Sequence, residues 1–342
     1  METRILKFLT FLIYFFHLHS KGTAAPVGVC YSRAATNLPP TSAVVSLLKS
    51  NGITRVRIYR PDPETLTAFK GTEIELLIGV PNEQLAALAN STAVAAASWL
   101  QSNILSAVDP SQVPYLAVGN DVLLKDPNLT PYLVPAVLNL YGALQRLGLE
   151  NTIKLSSPVG AAVMSAAYPP SSAAFDLNQA AAIVPLLQFL RDTDSPLMVN
   201  VYPFYSYVGN PKSLTLDYAL FRSSTIEIDQ NLGYTNMFDA TIDAFVYAME
   251  REGFRDIPVV VAETGWPTAG GEAAGADNAM TYNWNVMMRA SSNFGTPKRP
   301  GIGVEVFLFD LFDENEKKGS QYEKHFGIFR VDGAKAYDLR FN

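Results

Sequence analysis

Eight short apolar, β-rich runs recur along this chain with helical stretches between most of them. That alternation limits the fold more than any single motif does. The runs fall near 27–31, 55–59, 74–80, 115–119, 153–157, 197–202, 259–262 and 303–309. Helical spacing is found near 41–50, 93–107, 130–147, 179–191, 237–252 and 278–290. After the fourth run, Thr130 reads as an N-cap with Pro131 at the first helical position. Leu133, Val137, Leu140, Tyr141 and Leu144 then come at helical intervals, and Gly148 stops the run. Eight strands alternating with helices over about 317 residues predict an α/β fold, a single closed (β/α)8 TIM barrel. Its longest insertion, 204–236 after the sixth strand, is expected to form part of a substrate wall.

Such a barrel presents its functional groups at the C-terminal mouth. The continuous apolar run 259–262 ends at Glu263, and Gly265, Pro267, Gly270 and Gly271 then force the chain into a loop. On its own Glu263 fits loop capping or an ion pair with arginine as well as it fits catalysis. The fourth run ends in Gly119-Asn120-Asp121, which sets Asp121 across the mouth from Glu263. Two carboxyl groups about 5–5.5 Å apart suit glycoside hydrolysis with retention. Aromatic residues crowd the same rim: Tyr31, Tyr59, Tyr202, Phe204, Tyr205, Tyr207 and Trp266. Such rings pack against the C–H faces of sugars. Trp266 reads as a sugar platform and Tyr59 as barrel packing. Alternation along 202–207 would turn about half of that cluster toward the cleft. Arg55 and Arg57 share one side of the second strand, and Arg57 reads as a structural ion pair inside the barrel.

Composition narrows the chemistry further. The 342 residues are 48% hydrophobic and 17% charged, an ordinary globular balance. Residues 1–25 read as a secretory signal peptide, with Arg4 and Lys7 ahead of an apolar core too short to cross a bilayer. Residues 26–342 form the expected catalytic domain. Removing the leader takes away Arg4, Lys7, Lys21 and Glu2, so the net charge falls from −6 to −8. An acidic chain without a basic tract has no electrostatic reason to bind nucleic acid or an anionic membrane. Cys30 is the sole cysteine, read as core rather than nucleophile, and it cannot form an intrachain disulfide. Once the leader is gone His325 is the only histidine, which rules out a His-rich metal site. No cofactor, metal or membrane anchor is expected. Asn90-Ser91-Thr92 and Asn128-Leu129-Thr130 are acceptor sequons for glycosylation.

The stretches VGVCYS (27–32), RVRIY (55–59), VGND (118–121), NVYPFYSY (200–207), VVVAETGWPTAGG (259–271) and FDENEKKG (312–319) resemble the plant endo-1,3-β-glucanase family, glycoside hydrolase family seventeen. The resemblance runs from about Val27 to Phe341. It implies a secreted hydrolase of β-1,3-glucan, monomeric and without a cofactor, with Glu263 as nucleophile and Asp121 at the acid/base position. It further implies that Asn120 holds the sugar 2-hydroxyl and that Tyr202 hydrogen-bonds the nucleophile. Glu305, Glu314 and Lys317 match polar positions around the cleft, and Glu314 has been considered as a proton donor in this family. Tyr31, Phe204 and Trp266 join the expected substrate-binding set. One departure stands out: the family carries Glu where this chain has Asp121. One methylene fewer withdraws the carboxyl by roughly 1.5 Å, and a misplacement of about 1 Å can cost on the order of 10²-fold. Beside the hydrolase stand two alternatives, a glucan-binding protein that has lost turnover and a β-1,3-glucan transglycosylase.

Overall fold

The computed structural model describes residues 25–341, so all but the last residue of the expected leader lies outside the described residues. One parallel sheet contains β1 (Val27–Tyr31), β2 (Arg55–Ile58), β3 (Glu75–Val80), β4 (Tyr115–Val118), β5 (Lys154–Ser156), β6 (Val159–Gly160), β7 (Leu197–Asn200), β8 (Val259–Thr264) and β9 (Glu305–Leu308). The spatial order is β5-β4-β3-β2-β1-β9-β8-β7-β6. Its two ends, β5 and β6, are halves of one run interrupted at Ser157 and Pro158, and they pair outward to β4 and β7. Proline has no amide hydrogen to give a ladder, so the strand breaks there while the barrel still closes. This is the (β/α)8 barrel the alternation predicts, with its fifth stave split.

The outer layer is carried chiefly by α1 (Thr41–Ser50), α2 (Pro63–Phe69), α3 (Ala93–Leu100), α4 (Val122–Lys125), α5 (Thr130–Leu147), α6 (Leu177–Asp192), α7 (Met237–Arg251) and α8 (Ala276–Ser292). Helix α5 begins one residue earlier than its sequence signals imply. Leu129 occupies the N-cap and Thr130 is already helical, while Gly148 closes the helix at φ 68°. Helix α2 has no counterpart among the expected helices because it is only seven residues long. Its start signals are nevertheless present: Asp62 accepts from the Thr65 amide, and Pro63 opens the first turn.

Strand residues alternate between two cores. Cys30, Leu77, Ala117, Met198, Val260, Ala262 and Phe307 fill the barrel interior. Val29, Val56, Ile78, Leu116, Val199, Val261 and Val306 pack outward under the helices. Strands covered on both faces explain why these runs read as continuously apolar. Each valine, leucine, isoleucine, methionine or phenylalanine among them contributes about 1.5–3 kcal/mol by leaving water.

The insertion after β7 departs from expectation. Residues Pro203–Gly209 form a helix rather than a strand, so side chains there do not alternate across a sheet. Farther on, the hairpin Glu227–Asp229 with Leu232–Tyr234 is fastened to the outer layer. The Tyr234 hydroxyl donates to Asp243 on α7 at 3.0 Å, and Asp229 accepts from both the amide and hydroxyl of Ser171 at 2.6 Å. The first turn of the insertion reaches the barrel mouth through Tyr205, whose hydroxyl donates to Glu323 at 2.7 Å.

Candidate active site

Glu263 owes its position to a bulge. Ala262 points into the barrel, so strict alternation would send the next side chain out toward the helices. Between Val261 and Glu263, however, two residues of β8 stand against one of β7. That extra residue turns Glu263 back over the mouth while the Thr264 hydroxyl meets Tyr282 of α8 at 2.6 Å. Gly265 then passes directly under the Phe309 carbonyl, where any Cβ would collide.

Polar partners converge on the Glu263 carboxylate and its supports. Arg57, 1% exposed, lies 3.1 Å from Oε1, and the Tyr202 hydroxyl donates to Oε2 at 2.8 Å. The same guanidinium donates to the Ala262 carbonyl (2.9 Å), to Asn120 Oδ1 (2.9 Å) and to Asn200 Oδ1 (3.4 Å). The ion pair expected of Arg57 inside the barrel is thus made to Glu263 itself, which places Arg57 at the hub of the site. Burial pushes the Glu263 carboxyl up, but the charge of Arg57, then Lys125 and Lys317, and the Tyr202 hydrogen bond outweigh it. The group is held below the usual carboxylate range and is ionised at neutral pH. Its Oε1 accepts no hydrogen bond.

The opposite carboxyl sits on a tight turn at the end of β4. Gly119 has φ 72°, and Asp121 is itself left-handed at φ 51°, ψ 31°, a conformation short polar residues tolerate. Asn82, just past β3, clamps this turn: its Oδ1 accepts from the Asn120 amide at 2.8 Å and its Nδ2 donates to the Asn120 carbonyl at 3.2 Å. Although Asp121 stands at the N-cap of α4, its side chain caps no amide. Oδ2 instead pairs with Lys125 Nζ at 2.9 Å, and Oδ1 is buried without a partner. Asn120 Oδ1 already accepts from Arg57 and from Asn200 Nδ2 (3.1 Å).

A third polar group comes from the loop after β9. Lys317 Nζ donates to Glu314 Oε2 at 2.9 Å, approaches Glu323 at 3.5 Å and rides over the Phe309 ring at 4.2 Å. Glu323 accepts from Tyr205 at 2.7 Å. Beside these groups an open groove runs over the ends of β1 to β4 as two adjoining hollows of about 450 and 320 Å³. Tyr59 and Arg60 line both, Tyr31 lines the first, and Arg57, Asn120 and Lys125 line the second.

Three expected substrate contacts are corrected. Glu305 opens β9 and therefore lies at the N-terminal mouth, where it pairs with Arg55 and accepts from the Tyr115 hydroxyl at 3.1 Å. Trp266 is fully buried, edge-on to Phe204 at 5.1 Å and beside Tyr282, with Nε1 donating to the Ala273 carbonyl. Phe204 is equally buried. A large ring next to other rings gains more from complete burial than from a wet rim, so both belong to packing under the loop. Glu263, Asp121, Asn120, Tyr202, Glu314 and Lys317 do gather at one mouth, and Tyr31 lines the groove beside them. Asn82, Asn200, Lys125 and Glu323 join them without any sequence signal that singles them out. Glu323, for one, lies in the polar run Gln321–Lys324, which carries no periodic pattern.

Comparisons with known proteins agree with this architecture. A family model described as "Glycosyl hydrolases family 17" matches residues 27–341. A glucan endo-1,3-beta-glucosidase of Vitis vinifera is 41% identical over 345 residues, covering 99% of each chain. An acidic isoform of the same activity from Zea mays is 46% identical over 318 residues, covering 92% of this chain and 91% of its own. Among solved structures, a beta-1,3-glucanase and allergen of Cryptomeria japonica pollen superposes with a TM-score of 0.89 at 42% identity, covering 92% of this chain and 99% of that one. The chain belongs to family 17 of the glycosyl hydrolases.

Proposed function

We propose that this protein hydrolyses internal β-1,3-glucosidic bonds of β-1,3-glucans with retention at the anomeric carbon. The observation that carries the reading is Glu263: a carboxylate kept ionised by Arg57, with one oxygen free of hydrogen bonds, at the mouth of an open groove. In the first step the Glu263 carboxylate attacks the anomeric carbon while Asp121 gives its proton to the departing glycosidic oxygen. In the second step Asp121 takes a proton from water, whose oxygen displaces Glu263 from the sugar. Tyr202 and Arg57 fix the nucleophile, and the Asn120 amide meets the 2-hydroxyl. An open groove, rather than a closed pocket, suits attack inside a chain. The expected leader and the exposed Asn90 and Asn128 sequons fit a secreted, glycosylated monomer.

A second reading rests on Asp121, which is one methylene short and already tied to Lys125. On that reading the protein binds glucan without cleaving it. Turnover of a soluble β-1,3-glucan by the wild type, Asp121→Glu and Asp121→Asn separates the two. The hydrolase is expected to release reducing ends, and Asp121→Asn to lose about 10²–10⁴-fold. An inert wild type that Asp121→Glu awakens establishes the binder instead. Lengthened oligomers in excess of new reducing ends identify a transglycosylase. Equal turnover by all three removes Asp121 as the proton donor and turns attention to Glu314.

A further inference from the structure

We infer that Lys125 is a positioning residue that holds Asp121 for its proton-transfer role. This inference rests on the assignment of Asp121 as acid/base proposed above. Lys125 ends the four-residue helix α4, so its ammonium returns to the start of that turn and meets Asp121 Oδ2 at 2.9 Å. The Asp121 side chain is 10% exposed, and no backbone amide takes the place a helix cap would give it. Lys125 is thus the partner that fixes the carboxyl's rotation. It leaves Oδ1 as the oxygen with no partner, lying over Gly160, whose missing side chain keeps that space clear.

The ammonium acts on both carboxyls. Crowding around its tip disfavours the charge, yet Asp121 and Glu263 together raise its proton affinity, against opposition from Lys317. The charged and titratable groups bearing on Asp121 and Glu263 include Lys125 from α4, Arg57 from β2, Lys317 from the loop after β9 and the buried Asp310 just past β9. Held by Oδ2, the Asp121 carboxyl offers Oδ1 for the proton that leaves in the first step and arrives in the second. An ordinary surface pair at this spacing would instead only steady a helix and leave the pH profile alone.

The test compares kcat/KM against pH for the wild type, Lys125→Met and Lys125→Arg on soluble β-1,3-glucan. A parallel series uses a laminaribioside with a dinitrophenolate leaving group, which departs without protonation. Lys125 is 65% exposed, so the variants are expected to fold, and thermal melting checks this. Lys125→Met should move the alkaline limb on glucan up by about one pH unit, the low end for an opposite charge beside a carboxyl because solvent screens it. Lys125→Arg should restore the limb, and the dinitrophenyl substrate should show no such shift. A Lys125→Met limb that superimposes on the wild type overturns the inference. Asp121→Asn run alongside keeps the two claims apart. If it loses turnover on glucan but retains its first step on the dinitrophenyl substrate, the acid/base assignment stands whatever Lys125 does. If it turns over glucan like the wild type, the assignment fails and the inference with it.

Discussion

The two mouths of the barrel carry the same kind of ion pair, built from the same strand. Arg55 and Arg57, two residues apart on β2, both point inward. Arg55 meets Glu305 and Glu75 at the N-terminal mouth, and Arg57 meets Glu263 at the C-terminal one. What differs is the state of the carboxylate oxygens. At the lower mouth both Glu305 oxygens accept hydrogen bonds, one from Arg55 and one from Tyr115, although Glu75 Oε2 is matched only by its ion pair with Arg55. At the upper mouth Glu263 Oε1 and Asp121 Oδ1 accept none. The lower pair sits on regular strands, while the upper one depends on a bulge in β8 and on positive φ at Gly119 and Asp121. Buried polar groups without a hydrogen bond are costly wherever they occur, and the upper pair is set apart by standing beside the groove.

The sharpest way to break this comparison is to neutralise one acid at each end. Glu263→Gln should reduce glucan turnover by about 10⁴-fold or more, the scale seen when a reacting group is removed, and should also lower the melting temperature, because it leaves the buried Arg57 without its carboxylate. Glu305→Gln should leave kcat within a few-fold, and because Arg55 keeps Glu75 as a partner it should destabilise the fold by less than the about 3 kcal/mol of a fully broken buried pair. Denaturant unfolding and initial rates on both variants decide the matter. A large rate loss in Glu305→Gln would show that the lower mouth is not merely a closure.

Asp243 offers a buried carboxylate belonging to neither mouth. It is fully buried on α7 and accepts from Tyr234 at 3.0 Å and from the Lys298 amide at 2.9 Å. Burial pushes its carboxyl up to about 6, with the hydrogen bonds from Thr296, Lys298 and Tyr234 pulling the other way. A carboxyl whose folded pKa is raised contributes stability below that pKa and loses it as pH rises through it. Between pH 5 and pH 7.5 this amounts to about 1.4 kcal/mol, with the protein steadier at pH 5. Calorimetry at the two pH values should find that difference narrowed in Asp243→Asn. An unchanged slope would assign the pH dependence to other groups.

The smallest expected effect distinguishes the two arginines by geometry rather than by charge. Arg57→Lys keeps the cation but cannot span Glu263, Asn120, Asn200 and the Ala262 carbonyl at once. Because Glu263 must be ionised to attack, the acid limb of kcat/KM should rise by about one unit or less. Arg55→Lys should leave that limb where it is. Coincident limbs in wild type and Arg57→Lys would mean that charge alone, without the fork, holds the nucleophile ready.

Much of this molecule is legible in its residues because parallel strands covered on both faces leave continuous apolar runs, and a barrel repeats that signature eight times. The ends of those runs locate Glu263 and Asp121, since a barrel exposes the residues just past each strand. Direction along a strand is a different matter. Glu305 begins β9 and Glu263 closes β8, yet both read simply as acids beside β-branched runs, and only the strand boundaries assign them to opposite mouths. The bulge that turns Glu263 inward leaves no trace in VVVAET, because a bulge reflects how two strands register and not which residues they contain. Trp266 and Phe204 likewise lie near the right strands, but whether a ring faces sugar or other rings depends on loops that close over it from distant positions. The sequence determined the barrel and the acids at its rim, through local periodicity and chain order. The tertiary structure alone decided which oxygens lack partners, because a hydrogen bond between residues as far apart as Arg57 and Ala262 exists only after the strands have closed.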